Sequence, residues 1–310
     1  MIKRKQLDLQ PKSRPLWANI GLFYAAAVWG STFFVVKRTL NGIDPVILVA
    51  YRFIIATAIL AVVLPIFKKP FWKDFKSGII LGIFLWILYL TQTIGMKYTS
   101  AANSGLITGL FVAFVPFMAI ILFKNIPSKM AILATLIAIA GLWLLTGGLT
   151  QVNIGDIITL ISAIAYAVHI LFADKFLRQG ADPYTLSFQQ FLFIAVASLL
   201  TGLIFHLPFT ISSSEALWMM IFLAIFPSLT AFSIQLIAQR WIPPIRASLI
   251  LAFEPVFAVI FAWTLGGESY SFNKAFGGLL IFTALLISGI PSKPIIKANK
   301  KAPAENPTEA

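Results

Sequence analysis

Ten apolar runs, each about twenty residues long and separated by short polar turns, constrain this chain more than any single motif. They fall at 17–37, 45–67, 77–96, 101–123, 128–147, 156–174, 184–206, 215–238, 244–265 and 273–290. Hydrophobic residues make up 59% of the 310 and charged residues 11%, with a mean hydropathy of +0.90. A soluble domain carries about 45–50% apolar and about 25% charged residues. So few charges leave too little polar surface for a water-facing globule, and no segment between runs is long enough to form a separate soluble domain. The expected fold is an all-α membrane protein with ten transmembrane helices. Short connections make consecutive helices antiparallel neighbours.

The net charge of +13 could suggest nucleic acid, but the charges follow the loops. Nineteen Lys and Arg lie in the two tails and in the turns on the N-terminal side, against four (Lys37, Arg38, Lys97, Lys274) on the other, with Arg52 inside a run. That asymmetry places both termini in the cytoplasm of a multi-pass protein of the cell (inner) membrane. No nucleic-acid partner is expected. The tails, 1–16 and 291–310, are polar, basic or proline-containing and are expected to be disordered. Lys3, Arg4 and Lys5 precede the first run as in a signal peptide, but that run continues through Trp29 and Phe33 to Val36, the length of a spanning helix. The chain has no cysteine, and His169 and His206 fit no metal-ligand spacing. No metal and no cofactor are expected.

The halves repeat one another. At an offset of 138, Lys37, Gly42, Asp44-Pro45, Leu48 and Phe53 correspond to Lys175, Gly180, Asp182-Pro183, Leu186 and Phe191. At 143, Gln92 corresponds to Gln235 and Lys97-Tyr98 to Arg240-Trp241; at 139, Pro116, Ala119 and Ile121 correspond to Pro255, Ala258 and Ile260. Five spans per repeat is an odd number, so the second half enters the membrane from the opposite side. Two inverted five-helix repeats, 17–147 and 156–290, suit alternating access.

With these residues in order, the chain resembles EamA-type members of the drug/metabolite transporter superfamily. The likeness rests on Trp-Gly-Ser-Thr-Phe at 29–33 with Lys37, then Asp44-Pro45 and Arg52-Phe53, and on Lys97 to Gly105 continuing through Gly109 to Val115-Pro116. In the second half it rests on Ala247-Ser248, on Glu254-Pro255-Val256-Phe257 and on Gly267-Glu268. Lys124-Asn125 stands where many relatives carry Gly-Glu. The resemblance implies a carrier for small metabolites, amino acids among them, and drugs, working in the direction of export. It also implies a central cavity lined mainly by helices 1, 3, 4, 6, 8 and 9.

The residues themselves single out fewer positions. Glu254 falls at the middle of its span beside Pro255, where the missing N–H frees carbonyls of the preceding turn. Intramembrane ionisable groups are expensive and need a reason. A carboxyl there suits a coupling proton or a substrate amine; the plainer alternative is a carboxylic acid bonded to a neighbouring helix. Pro116, Pro227 and Pro255 are the expected helix breaks. Gln92 and Gln235 can hold gates, touch substrate, or act as interhelical glue. Trp29, Tyr89 and Tyr166, with Ser31 and its repeat-mate His169, could line an aromatic, hydrogen-bonding wall, although a lone membrane histidine is more often a packed bridge. Arg52 is read as structural, snorkelling or paired internally. Gly78/Gly82 and Gly105/Gly109 read as packing pairs, and Asp44, Asp156 and Glu215 as N-caps.

A secondary transporter working by alternating access accounts for these features. A channel or a non-transporting scaffold is the alternative. An intramembrane enzyme is disfavoured, because no nucleophile–base pair, carboxylate pair or metal-ligand motif is present. No nucleotide-binding segment occurs, so coupling to protons, exchange or neither remains. The expected partners are the lipid bilayer and a small-molecule substrate, a zwitterion or amphipathic metabolite rather than a polyanion. The sequence sets no oligomeric state.

Overall fold

Backbone polar groups in hydrocarbon must be satisfied within the chain, which leaves the helix as the economical element for apolar runs like these. A computed structural model describes residues 14–148, 152–264 and 270–290, and among them the regular elements are all helical. The helices are α1 (Leu16–Thr39), α2 (Pro45–Ile66), α3 (Phe75–Tyr98), α4 (Ala101–Phe123), α5 (Lys129–Thr146), α6 (Ile154–Arg178), α7 (Pro183–Ile204), α8 (Ser214–Gln239), α9 (Pro244–Phe261) and α10 (Phe272–Ser288). Nine are long and apolar enough to cross a membrane; α10, with 17 residues, is shorter. The tails at 1–13 and 291–310 and the Gly267-Glu268 pair lie outside the described residues.

Helix starts follow local chemistry. The carboxylates of Asp44 and Asp182 accept from the backbone N–H of Val46 and of Tyr184, each with a proline opening the helix. Two expected caps fall elsewhere. Asn153 caps α6, and Asp156 is the third helical residue, bonding back to the Asn153 N–H in a reciprocal capping box. Ser213 caps α8, leaving Glu215 to pair with Arg38 at 2.6 Å.

Four helices are interrupted. α1 turns at Ser31, α4 at Leu110 and α9 at Ala252–Phe253, while α8 widens to π geometry over Ala224–Ala231. Pro255 and Pro227 sit at two of these places. Pro116 lies inside the continuous segment Phe111–Phe123, and the interruption of α4 falls at Leu110, after Gly109. Glycine gives that turn the lower helix propensity.

The helix pairings recur between halves. α2 packs on α7 and α5 on α10; α3 packs on α6 as α8 packs on α1, α3 on α7 as α8 on α2, and α4 on α6 as α9 on α1. The α5–α10 crossing depends on Gly141 and Gly277: a Cβ on Gly277 would lie 2.6 Å from the Gly141 carbonyl oxygen and 2.5 Å from Leu145 N. Such backbone approach suits small residues in membranes, where packing drives association. Gly78 and Gly82 likewise face Gln189 and Phe193 of α7. The turns are pinned at both ends of the bundle. Lys69 pairs with Asp182 at 2.7 Å, and the Gln189 amide donates to the carbonyls of Phe71 and Lys73. At the other end the Tyr51 hydroxyl donates to the Phe209 carbonyl at 2.7 Å, and Ser212 N–H to that of Gly42.

Candidate substrate cavity

The interruptions of α1, α8 and α9 converge on one cavity near the centre of the bundle. Its wall takes side chains from α1, α2, α3, α4, α6, α8 and α9, which adds α2 to the helices expected from the resemblance. Glu254 heads the second segment of α9, directly after the Ala252–Phe253 turn, and is 6% exposed. Gly30 lets α1 reach that turn: a Cβ there would lie 2.5 Å from the Glu254 carbonyl oxygen.

The π segment of α8 supplies two anchors. Pro227 has no N–H for the carbonyl of Leu223, four residues earlier; the Ser228 hydroxyl donates to that oxygen instead, at 2.8 Å. The Ser228 oxygen in turn accepts from Arg52 Nε at 3.1 Å. Meanwhile the Pro227 carbonyl accepts from Trp29 Nε1 at 2.9 Å, giving the mid-span indole the partner a buried Trp requires. Arg52 is 2% exposed, lies 4.7 Å over the Tyr89 ring and lines the cavity. Packing was its expected role; the fold gives it both packing and a place in the wall.

Aromatic rings fill the space between these groups. Trp29 lies 4.6 Å from Phe232 and 6.0 Å from Tyr166, and Tyr89 lies 5.5 Å from Phe232. The three ion pairs among the described residues, Arg38–Glu215, Lys69–Asp182 and Arg178–Asp174, leave out both Arg52 and Glu254. A guanidinium and a carboxyl therefore share one cavity wall without pairing to each other.

The two ends of the cavity differ. Toward the face where α1 begins, a polar ladder joins α6 to α8. The Tyr166 hydroxyl donates to Gln235 Oε1 at 3.1 Å, Gln235 Nε2 to Gln239 Oε1 at 3.0 Å, and Gln239 Nε2 to the Ile170 carbonyl at 3.1 Å. Toward the opposite face, the wall is made by Thr32 and Val36 of α1 and Gln92 and Met96 of α3, with Val36 and Met96 in one buried apolar cluster. Gln92 does not repeat its mate's bond; its amide donates to Thr108 on α4 at 3.0 Å. Lys37 reaches beyond, to the carbonyls of Met96 at 2.5 Å and Thr99 at 2.8 Å.

Of the residues singled out in the sequence, Glu254, Trp29, Tyr89, Gln92 and Tyr166 meet in the wall. Gln235 stands behind it, bonded to Tyr166. Ser31 turns away, its hydroxyl donating to the Val28 carbonyl at 2.7 Å. His169 is fully buried behind Phe232 and bonds Gln190 at 2.9 Å, as a packed bridge between α6 and α7. Gln239 and Ser228 were missed, although the four-residue spacing of Gln239 from Gln235 placed both on one helix face.

A family model described as the EamA-like transporter family matches residues 16–147 and again 153–290. The chain belongs to this family. An uncharacterized transporter of Archaeoglobus fulgidus is 32% identical over 274 residues, 88% of this chain and 85% of that protein. An uncharacterized inner membrane transporter of Escherichia coli, YedA, is 25% identical over 289 residues, 89% of this chain and 93% of its own. A crystal structure at 19% identity superposes with a TM-score of 0.71, covering 88% of this chain and 96% of that one, a likeness of fold. This EamA-family chain is thus a multi-pass membrane protein whose relatives are named transporters.

Proposed function

We propose that this EamA-family protein is a secondary transporter that moves a small metabolite, an amino acid or similar amphipathic compound, out of the cell by alternating access. The observation that carries the reading is the cavity itself: a carboxyl in no ion pair, Glu254, at a helix break, in a wall of aromatic rings drawn from helices of both halves. Ten spans form two inverted repeats, 17–147 and 156–290, with both termini cytoplasmic. The two successive family-model matches, the recurring helix pairings and the repeated Asp-Pro helix starts support that arrangement. In it the α6–α8 ladder braces the cytoplasmic side, while its counterpart, α1–α3, is tied farther out by Lys37 to the Met96 and Thr99 carbonyls. Exchanging the conformations of the halves would exchange the bonding of these two sides. Glu254 carries the coupling proton, because a membrane carboxylate can be carried neutral through a state in which it faces no cation.

The test is counterflow in proteoliposomes preloaded with an unlabelled mixture of amino acids and metabolites, beside Glu254→Gln. Transient accumulation of labelled tracer requires a carrier and names a substrate. A variant that still exchanges but no longer follows a pH gradient supports the proton role. Sustained flux without saturation would instead favour a channel.

A further inference from the structure

Arg52 has an unusual environment for a membrane arginine. Its Nε is committed to Ser228, whose own proton goes to the Leu223 carbonyl, so the guanidinium is fixed from behind. One face of it lies over Tyr89. It is 2% exposed, far too buried to be snorkelling, yet it borders the cavity and is balanced by no carboxylate among the described residues. A planar cation held by one edge presents its remaining donors as a fork, the shape that takes a carboxylate bidentately. Burying it unpaired is costly, and a bound anion would relieve that cost.

We infer that Arg52 is the specificity-determining residue for the anionic end of the substrate and binds its carboxylate, with the ammonium end facing Glu254. This rests on the transporter reading above and deepens it, since the carrier could equally have moved a simple amine. A carboxylate is the anion indicated. One guanidinium sharing its wall with a carboxyl group suits a single negative charge better than a phosphate dianion.

Binding to the purified, full-length protein tests the assignment without requiring transport. Ligand-induced shifts in thermal unfolding are read for the twenty amino acids, their decarboxylated amines and their deaminated acids, on wild type, Arg52→Lys, Arg52→Gln and Ser228→Ala. Wild type is expected to favour the zwitterions over the matched amines. Arg52→Gln should lose that preference by on the order of 10–100-fold while keeping affinity for the amines. Arg52→Lys, which keeps the charge but not the fork, should lose part of it. Ser228→Ala keeps the guanidinium and separates misfolding from lost recognition, because a purely structural role would weaken zwitterion and amine alike. Equal zwitterion-to-amine ratios in wild type and Arg52→Gln overturn the assignment. So does a folded wild type that binds amines alone, or none of the panel. Counterflow with the broader metabolite mixture then judges the transporter reading separately: tracer accumulation beside a failed panel leaves a carrier whose substrate Arg52 does not read.

Discussion

If the α6–α8 ladder closes one side of the cavity, weakening it should open that side by a predictable amount. Gln239 is the place to cut, because it both accepts from Gln235 and donates to the Ile170 carbonyl across the helix interface. Gln239→Leu removes both bonds while keeping the volume. Gln235 and Gln239 share α8, so only the bond to Ile170 spans the interface. At the average of about 0.6 kcal/mol for a hydrogen bond inside a membrane protein, its loss amounts to roughly threefold in a two-state equilibrium. The chain contains no cysteine, so one introduced thiol reports without background. Ile170→Cys suits the purpose, since Ile170 is fully buried at the ladder. Labelling by a membrane-impermeant maleimide from the face where α1 begins should run about threefold faster when Gln239→Leu is added. The reverse face should show no such gain. Equal rates with and without Gln239→Leu, in protein whose unfolding midpoint shows that the bonds were lost, would mean that the ladder is glue and not a gate.

Trp29→Phe keeps the ring contacts with Phe232 and Tyr166 but strips the donor from the Pro227 carbonyl. It should cost about 1 kcal/mol in unfolding free energy, measurable by denaturant titration in detergent. Gly277→Val drives side-chain atoms into the Gly141 and Leu145 backbone and should cost about 1–3 kcal/mol, seen as a lower thermal midpoint or loss of folded yield. By contrast, Glu215→Gln should leave the unfolding free energy, measured by the same denaturant titration, within about 0.5 kcal/mol, because both side chains of the Arg38–Glu215 pair are about half exposed, at 52% and 53%.

Much of the fold was legible because bilayer thickness and helix geometry set span length, and because caps and prolines mark where spans begin. The turn at Asp44-Pro45 is an instance: both residues act in the structure as the sequence suggests. Asp156 shows how a cap can be misplaced by three residues, since the Asn153-to-Asp156 spacing of a capping box was there to be read. The site was less legible because it depends on which face of each helix turns inward. Arg52 and its mate Gln190 occupy matching positions, yet one borders the cavity and the other bonds His169. Ser31 and His169 are mates too, and neither reaches the cavity wall. A repeat in sequence fixes position along a helix; the two halves pack differently around these positions, and the sequence pattern carries no record of that difference.

The π segment of α8 has a mechanical consequence. Each of its rings closes over one more residue than an α turn, so Ala224–Ala231 holds slack in an otherwise tight helix. Taking up one residue of that slack would rotate everything beyond it by about 100° and advance it by about 1.5 Å. Upstream of the swivel, the Leu223 carbonyl holds the Ser228 hydroxyl that steadies Arg52; downstream ride Gln235 and Gln239. A tug at the guanidinium and a twist of the ladder are thus motions of a single screw thread. Pro227→Ala, which restores the N–H the α turn needs, should tighten that thread. In the Ile170→Cys background it should accelerate labelling without touching a single ladder residue, and an unchanged rate would show the thread to be rigid.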